Sequence, residues 1–272
     1  MSDPSFELVT VPSGARSLRS REHGETFHPG IGPMEEARIL HVVQHRLAER
    51  LDGPFVIWDV GLGAGANALA MIEALLALER KEARVELRSF DKTLEPLYFA
   101  FKHAAELHYP SRWKPEIEEL LLRGKVEIGS VTWSLEAGDF LERINHWTGP
   151  EPNAVMFDPY SPAANPGMWT REVFHAIRER AGHDCTLTTY SRSTVTRARL
   201  LLAGWCVGRG AATGEKTETT VAATRIELLQ EPLRRDWLER VKRSRAAGLT
   251  DEGMTPEMLA GELAACAQMQ AG

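Results

Sequence analysis

Cysteine is scarce in this 272-residue chain: Cys185, Cys206 and Cys266 are odd in number, widely separated and without metal-ligand spacing. That argues against a disulfide framework and suits a reducing compartment. No apolar run approaches membrane-spanning length, and the opening MSDPSFELVT lacks a basic region followed by an apolar one. These absences predict a soluble cytoplasmic protein with no membrane partner. Positive charge is not in excess either: the net charge is −6, so nothing in the total pulls toward nucleic acid or anionic lipid. No Ser-His-Asp or Cys-His ordering stands out, and no repeat, low-complexity tract or linker splits the chain. The apolar content of 43% and charged content of 26% are those of an ordinary globular protein, with length for one large core plus a small appended unit.

The pattern of apolar residues predicts three parts: an extended lead-in over 1–32, a main domain over 33–230, and a helical appendage over 231–272. A helix is expected from Pro33 to Arg50, with Ile39, Leu40, Val43 and Leu47 on one stripe. Buried strands are expected at Phe55–Val60, Val85–Phe90, Val131–Glu136, Ala154–Phe157 and Thr186–Tyr190, with helical patterns between them. Two late strands, Trp205–Gly208 and Thr219–Arg225, have no helix between them. Alternating strands and helices imply an α/β fold with a doubly wound, mostly parallel sheet, and the helix-free pair implies an antiparallel terminal strand.

In such a sheet the ligand sits beyond the carboxyl ends of the strands. Four features fall there: the loop Gly61-Leu-Gly63-Ala-Gly65, then Asp91, Asp139 and Asp158. The glycines let backbone approach a ligand where a β-carbon would clash. Asp91 is placed for two ribose hydroxyls, and Asp139 with Phe140 for the edge and face of an adenine. The loop also satisfies the dinucleotide pattern G-x-G-x-x-A, a weak match by itself. Asp59 weighs against it, because a carboxylate two residues before the glycines repels a pyrophosphate but holds the ammonium of a methionine moiety. The expected cofactor is therefore S-adenosyl-L-methionine, and the nicotinamide reading is set behind it.

Asp158-Pro159-Tyr160 follows the fourth strand, where amine-modifying methyltransferases carry an Asp/Asn-Pro-Pro-aromatic motif. Methyl transfer is an in-line displacement, so the acceptor nitrogen needs a free, aimed lone pair. An alkylamine with a pKa of about 10 costs roughly 4 kcal/mol to neutralise at pH 7. A nearby carboxylate raises that pKa, so Asp158 is expected to orient the amine and stabilise the ammonium, while desolvation supplies the neutral form. A helix cap or a plain turn is the competing role for Asp158.

The segments GETFHPGIGPMEEA (24–37), DVGLGAGAN (59–67), SFDK (89–92), HYPSRWKPEIEELLLRG (108–124), AGDF (137–140), DPYSPAANPGMW (158–169) and TTYS (188–191) together resemble the methyltransferase part of the MnmC family. The resemblance runs from about Gly24 to Arg225. It implies a class I methyltransferase that methylates the exocyclic amine of 5-aminomethyl(-2-thio)uridine at the wobble position of tRNA. It assigns Asp59, Gly61, Gly63, Gly65, Asn67, Asp91, Lys92, Asp139, Phe140 and Asp158 to the cofactor, and Asp158 and Tyr160 to catalysis. Phe27, His28, Glu35, Glu36, Asn165 and Trp169 would line the substrate pocket. Glu35 and Glu36 have a competing role as first-turn helix acids, and Trp169 as a core anchor. The family's oxidase half has no counterpart in these residues, so a separate enzyme is expected to make the aminomethyl group. The segment Gly208–Thr220 follows the family only loosely, which weakens a substrate role for Lys216.

A tRNA partner, bound at its anticodon region, needs phosphate contacts and a splayed base. Local basic clusters exist at Arg16, Arg19 and Arg21 and along RRDWLERVKRSR (234–245), against acids such as Asp251, Glu252, Glu257 and Glu262 in the tail. A solvated helix face explains the second cluster equally well. His41 and His45, four residues apart in HVVQH, lack the Glu of a zinc-protease helix and read as structural; no metal is expected. Two other functions stay open: amine methylation of a small molecule or protein, and a non-catalytic cofactor-binding partner protein.

Overall fold

The computed structural model describes residues 5–80, 82–214, 217–246 and 254–270. Lys216, Asp251 and Glu252 lie outside them. Among the described residues there are ten strands: β1 (Phe6–Thr10), β2 (Arg16–Ser20), β3 (Phe55–Val60), β4 (Val85–Asp91), β5 (Lys125–Ile128), β6 (Val131–Ala137), β7 (Ala154–Phe157), β8 (Thr186–Thr189), β9 (Cys206–Gly210) and β10 (Thr219–Ala223). Eight of them form one sheet in the order β5-β6-β4-β3-β7-β8-β10-β9. From β6 to β8 all neighbours are parallel, while β10 runs antiparallel to both β8 and β9. The reversed strand is therefore inserted beside β8, and β9 takes the edge. β5, unforeseen in the sequence, pairs antiparallel with β6 through a tight turn at Gly129, whose φ is 60°.

β3 is buried at every position, because helices cover the sheet on both faces. Strand alternation divides its side chains. Phe55 and Ile57 join Leu69, Ile72, Leu87, Ile117 and Trp133 on one face. Val56, Trp58 and Val60 join Phe90, Phe140, Phe157, Phe174 and Leu200 on the other. The chain leaves β3 for β4 on one side and reaches β7 on the other, so the crevice at the ends of β3 and β7 is the switch point of the sheet.

The expected single helix from Pro33 to Arg50 is three pieces. An α-helix over Pro33–Ala37 passes into a π-helical segment over Arg38–Val43, and Leu47–Arg50 restarts after Arg46 at φ 51°. The wider π turn rotates the stripe: Leu40 and Leu47 stay buried, but Val43 is 60% exposed and His41 and His45 take the inward positions.

The lead-in is an antiparallel hairpin, β1 with β2. Phe6 and Leu18 pack with Ala64 of the glycine loop and with Ala100 and Leu107, and Phe27 lies against the same cluster. At the other end of the chain, Pro256–Ala264 and Ala267–Gln270 are helical, and Leu259, Leu263 and Met269 join the core of the second face. Gln268 accepts from Val207 N–H at 2.7 Å and donates to the carbonyls of Val207 and Leu233 at 2.7 and 2.8 Å. The tail thereby satisfies backbone of the edge strand β9.

Candidate active site

Gly61, Gly63 and Gly65 all have positive φ, at 92°, 52° and 82°. A β-carbon on Gly61 would lie 2.7 Å from the Asp158 carbonyl oxygen, and one on Gly63 would lie 3.0 Å from the Phe27 ring. The loop thus runs between the β7 exit and the lead-in, and only glycine fits that passage. The amide of Gly63 donates to Asp91 Oδ2 at 2.9 Å, and the Thr93 amide reaches Oδ1 at 3.3 Å. Burial raises the Asp91 carboxyl, and these backbone donors oppose the shift. Tyr109, from the 108–124 insert, buttresses the loop with a hydroxyl bond to the Ala64 carbonyl at 3.0 Å.

Asp59 lies beneath the loop with no exposed surface. Ser89 donates to its Oδ2 at 2.7 Å, and Trp133 Nε1 in turn donates to Ser89 at 2.9 Å. Its Oδ1 has no hydrogen-bond partner among the described residues. Burial pushes the carboxyl up to about 7; the Ser89 bond opposes this, and the charges of Asp158 and Asp91 add to it. Three carboxylates thus converge on one glycine loop, and one of them keeps a bare buried oxygen. That donor set rejects a pyrophosphate and suits a ligand with ammonium and sulfonium charges.

The Asp158 carboxylate, 14% exposed, accepts from Asn67 Nδ2 at 2.7 Å on Oδ2, and His41 Nε2 stands 4.0 Å from the same oxygen. Burial works to raise this carboxyl, but His41, His28 and Asn67 outweigh it and hold it below the usual range. Tyr160 lies under the His23 and Phe27 rings, at 4.2 and 5.5 Å between centroids. Burial pushes its phenol up to about 12. The loop after Asp158 is pinned on three sides. Trp169 Nε1 donates to the Tyr160 carbonyl at 2.8 Å, and Tyr190 hydroxyl to the Pro159 carbonyl at 3.1 Å. Glu25 accepts from the Ser161 amide at 3.0 Å and also from its hydroxyl.

Residues 102–225 match the model of a family described as S-adenosyl-L-methionine-dependent methyltransferase. The chain is also similar to MNMC2 from Aquifex aeolicus, with 26% identity, a TM-score of 0.72, and 97% of this chain and 85% of that one covered. The chain is a class I S-adenosylmethionine-dependent methyltransferase. Curated relatives include the tRNA 5-methylaminomethyl-2-thiouridine biosynthesis bifunctional protein MnmC of Pseudomonas savastanoi pv. phaseolicola, 27% identical over 239 residues. The MnmC of Aeromonas hydrophila subsp. hydrophila is 27% identical over 242 residues. These matches cover 82% and 81% of this chain but 36% of each relative, so the methyltransferase spans about a third of their length.

The remaining expected site residues of this methyltransferase separate by position. Phe27 and His28 stand at the loop: Phe27 covers Gly63, and His28, at φ 47°, acts on the Asp158 charge. Glu36 is buried, whereas Glu35 is exposed and paired with Arg38 at 2.9 Å, as a first-turn helix acid would be. Lys92 is exposed. Asp139 caps the helix Phe140–Asn145 by accepting from the Glu142 amide at 3.1 Å. The Phe140 ring is 6% exposed and packs edge-on to Phe90 at 5.2 Å, inside the core. Asn165 starts the turn Pro166–Trp169, and Trp169 is a core anchor that also holds Tyr160. Sequence reasoning missed Glu25, Tyr109, Ser161 and Tyr190 as supports of the loops. All four sit in resembling segments, which is the one signal that was available.

Proposed function

We propose that this methyltransferase transfers a methyl group from S-adenosylmethionine to the exocyclic amine of 5-aminomethyl(-2-thio)uridine at the wobble position of tRNA. One observation carries the reading: the Asp158 carboxylate is bonded at 2.7 Å to Asn67, directly beyond the glycine loop, so acceptor and cofactor positions meet at one point. The names of the MnmC relatives supply the nucleoside. In this reading Asp59, Asp91, Asp139, Lys92 and the three glycines hold the cofactor, with Asn67 and the core ring of Phe140 behind them. The cofactor supplies the methyl group on a sulfonium. Asp158 takes the hydrogens of the acceptor nitrogen and aims its lone pair, and it stabilises the positive charge that nitrogen gains. Tyr160, with Phe27 and His28 above it, covers the base, and Glu36, Asn165 and Trp169 close the pocket behind. Glu35 keeps a place at the rim only.

The acceptor must bind as the neutral amine, its proton left to solvent, and the apolar rings of Phe27, Tyr160 and Trp169 supply the desolvation that favours that form. A separate enzyme that builds the aminomethyl group is part of this proposal, as is a cytoplasmic location. The basic segment 234–245 keeps Arg234, Arg235 and Arg243 exposed for phosphates, while Lys242 pairs with Glu239 and Arg240 with Glu218 at 2.6 and 3.6 Å.

The test supplies purified protein with labelled S-adenosylmethionine and tRNA bearing unmethylated 5-aminomethyluridine, followed by nucleoside mass spectrometry. A gain of one methyl on that nucleoside is expected, and it should vanish in Asp158→Asn with cofactor affinity unchanged. Unlabelled tRNA beside intact cofactor binding would move the acceptor to a small amine or a protein.

A further inference from the structure

The helical segment that follows the lead-in carries two histidines that the methyl-transfer reading does not use. His41 and His45 are fully buried and lie against β8. Their ring nitrogens form one continuous chain. Arg50 Nη1 donates to Thr186 Oγ1 at 2.7 Å, and Thr186 Oγ1 meets His45 Nδ1 at 2.8 Å. His45 Nε2 meets Thr188 Oγ1 at 3.1 Å, and Thr188 Oγ1 meets His41 Nδ1 at 2.7 Å. The chain ends at His41 Nε2, which has no hydrogen-bond partner among the described residues and stands 4.0 Å from Asp158 Oδ2.

The direction of this chain follows from its outer end. A guanidinium only donates, so Thr186 Oγ1 accepts from Arg50. The Thr186 hydroxyl hydrogen then has one acceptor among the described residues, His45 Nδ1. His45 stays neutral because burial, and with it the Arg50 guanidinium, lowers its proton affinity. Its hydrogen therefore sits on Nε2 and goes to Thr188. The Thr188 hydroxyl, having accepted there, donates to His41 Nδ1. That leaves the His41 hydrogen on Nε2, facing Asp158. The opposite direction would strand the Thr186 hydroxyl hydrogen and turn a bare nitrogen lone pair toward a carboxylate.

We propose that His41 is a positioning residue for Asp158. Its Nε2–H, fixed by the chain from Arg50, shares Oδ2 with the Asn67 amide and reserves Oδ1 for the acceptor amine. The inference rests on the Asp158 role given above. At 4.0 Å the contact is longer than a hydrogen bond, and catalytic contacts of this kind tighten when the acceptor is bound. The other titratable groups facing Asp158 are His28 from the lead-in, Asp59 from β3 and Tyr190 after β8; those facing His45 are His41 and Arg50. A donor lost from Oδ2 leaves Asp158 easier to protonate, so the acid limb of the rate profile should move upward.

The experiment follows single-turnover methyl transfer to the same tRNA from pH 5 to 9 in wild type, His41→Phe, His41→Gln and Asp158→Asn, and reads the imidazole N–H positions of the wild-type protein by ¹⁵N NMR. Expected are a roughly tenfold to hundredfold fall in kcat for His41→Phe with KM unchanged, and an acid limb raised by about one unit. Recovery is expected in His41→Gln, whose side-chain amide donates from the Nε2 position. The NMR spectrum should show hydrogen on Nε2 of both histidines. A wild-type rate and pH profile in His41→Phe, or hydrogen on Nδ1 of His41, overturns the inference. The NMR result does not depend on any variant folding. Retained activity in Asp158→Asn would sink the Asp158 reading itself, whereas an inactive Asp158→Asn beside a normal His41→Phe removes His41 alone.

Discussion

Gly61 and Asp158, one at the end of β3 and the other at the end of β7, touch backbone to backbone: a β-carbon on Gly61 would sit 2.7 Å from the Asp158 carbonyl oxygen. The cofactor loop and the acceptor loop are therefore one mechanical unit. Gly61→Ala must shift that carbonyl and also adopt φ near 92°. The expected cost is about 2 kcal/mol of stability. Methyl transfer should fall more steeply than cofactor affinity, because Asp158 is displaced. Denaturant titration and steady-state kinetics on one preparation measure both.

Asp59 makes stability depend on pH in a direction opposite to most carboxylates. Its folded pKa is about 7, whereas an unfolded aspartate titrates near 4. Between those values the unfolded chain has released the proton and the native one has kept it, so stability declines as pH rises through this window. Asp59→Asn should stabilise the cofactor-free protein at pH 8 by up to about 4 kcal/mol, and by almost nothing at pH 4. Equal effects at both pH values would show that Asp59 titrates normally. The same variant should bind S-adenosylmethionine more weakly. Cofactor binding by the wild type near pH 6.5 should release protons, seen by calorimetry in buffers of different ionisation enthalpy.

Glu25 ties the lead-in to the acceptor loop through the Ser161 amide and hydroxyl. Glu25→Gln keeps the shape but weakens two charge-assisted bonds. The expected result is a rise of roughly tenfold in KM for the acceptor, with the cofactor Kd unchanged. A change in cofactor Kd alone would place the effect of Glu25 on the glycine loop instead.

Gln268 provides a control far from the chemistry. Its amide makes three bonds to the backbone of Val207 and Leu233. Gln268→Ala should lose about 2 to 3 kcal/mol, since buried backbone groups are left unpaired. kcat should stay as in wild type, and thermal unfolding with an activity assay checks both.

Strand identity was legible in the sequence because β3 and β7 are buried at every position and read as apolar runs, while β4 and β6 alternate buried apolar residues with half-buried polar ones. β5 was not, although Lys125-Val-Glu-Ile-Gly alternates and ends in a turn glycine; its four residues are too short a pattern to stand out. The single helix expected over 33–50 failed because a π turn changes the period locally, and composition carries no trace of that.

The sequence by itself determined the cofactor chemistry and the acidic strand ends, since a glycine at positive φ and a carboxylate at a strand terminus are local properties. Tertiary structure alone decided what those acids do. Sheet pairing brings Thr188 of β8 against His41, 147 positions earlier, and sets Asn67 beside Asp158 across 91 positions. Burial then divides the carboxylates, raising Asp59 and leaving Asp158 held down by its neighbours. Solvation and charge in a folded crevice depend on residues distant in the chain, so spacing along the sequence does not encode them directly.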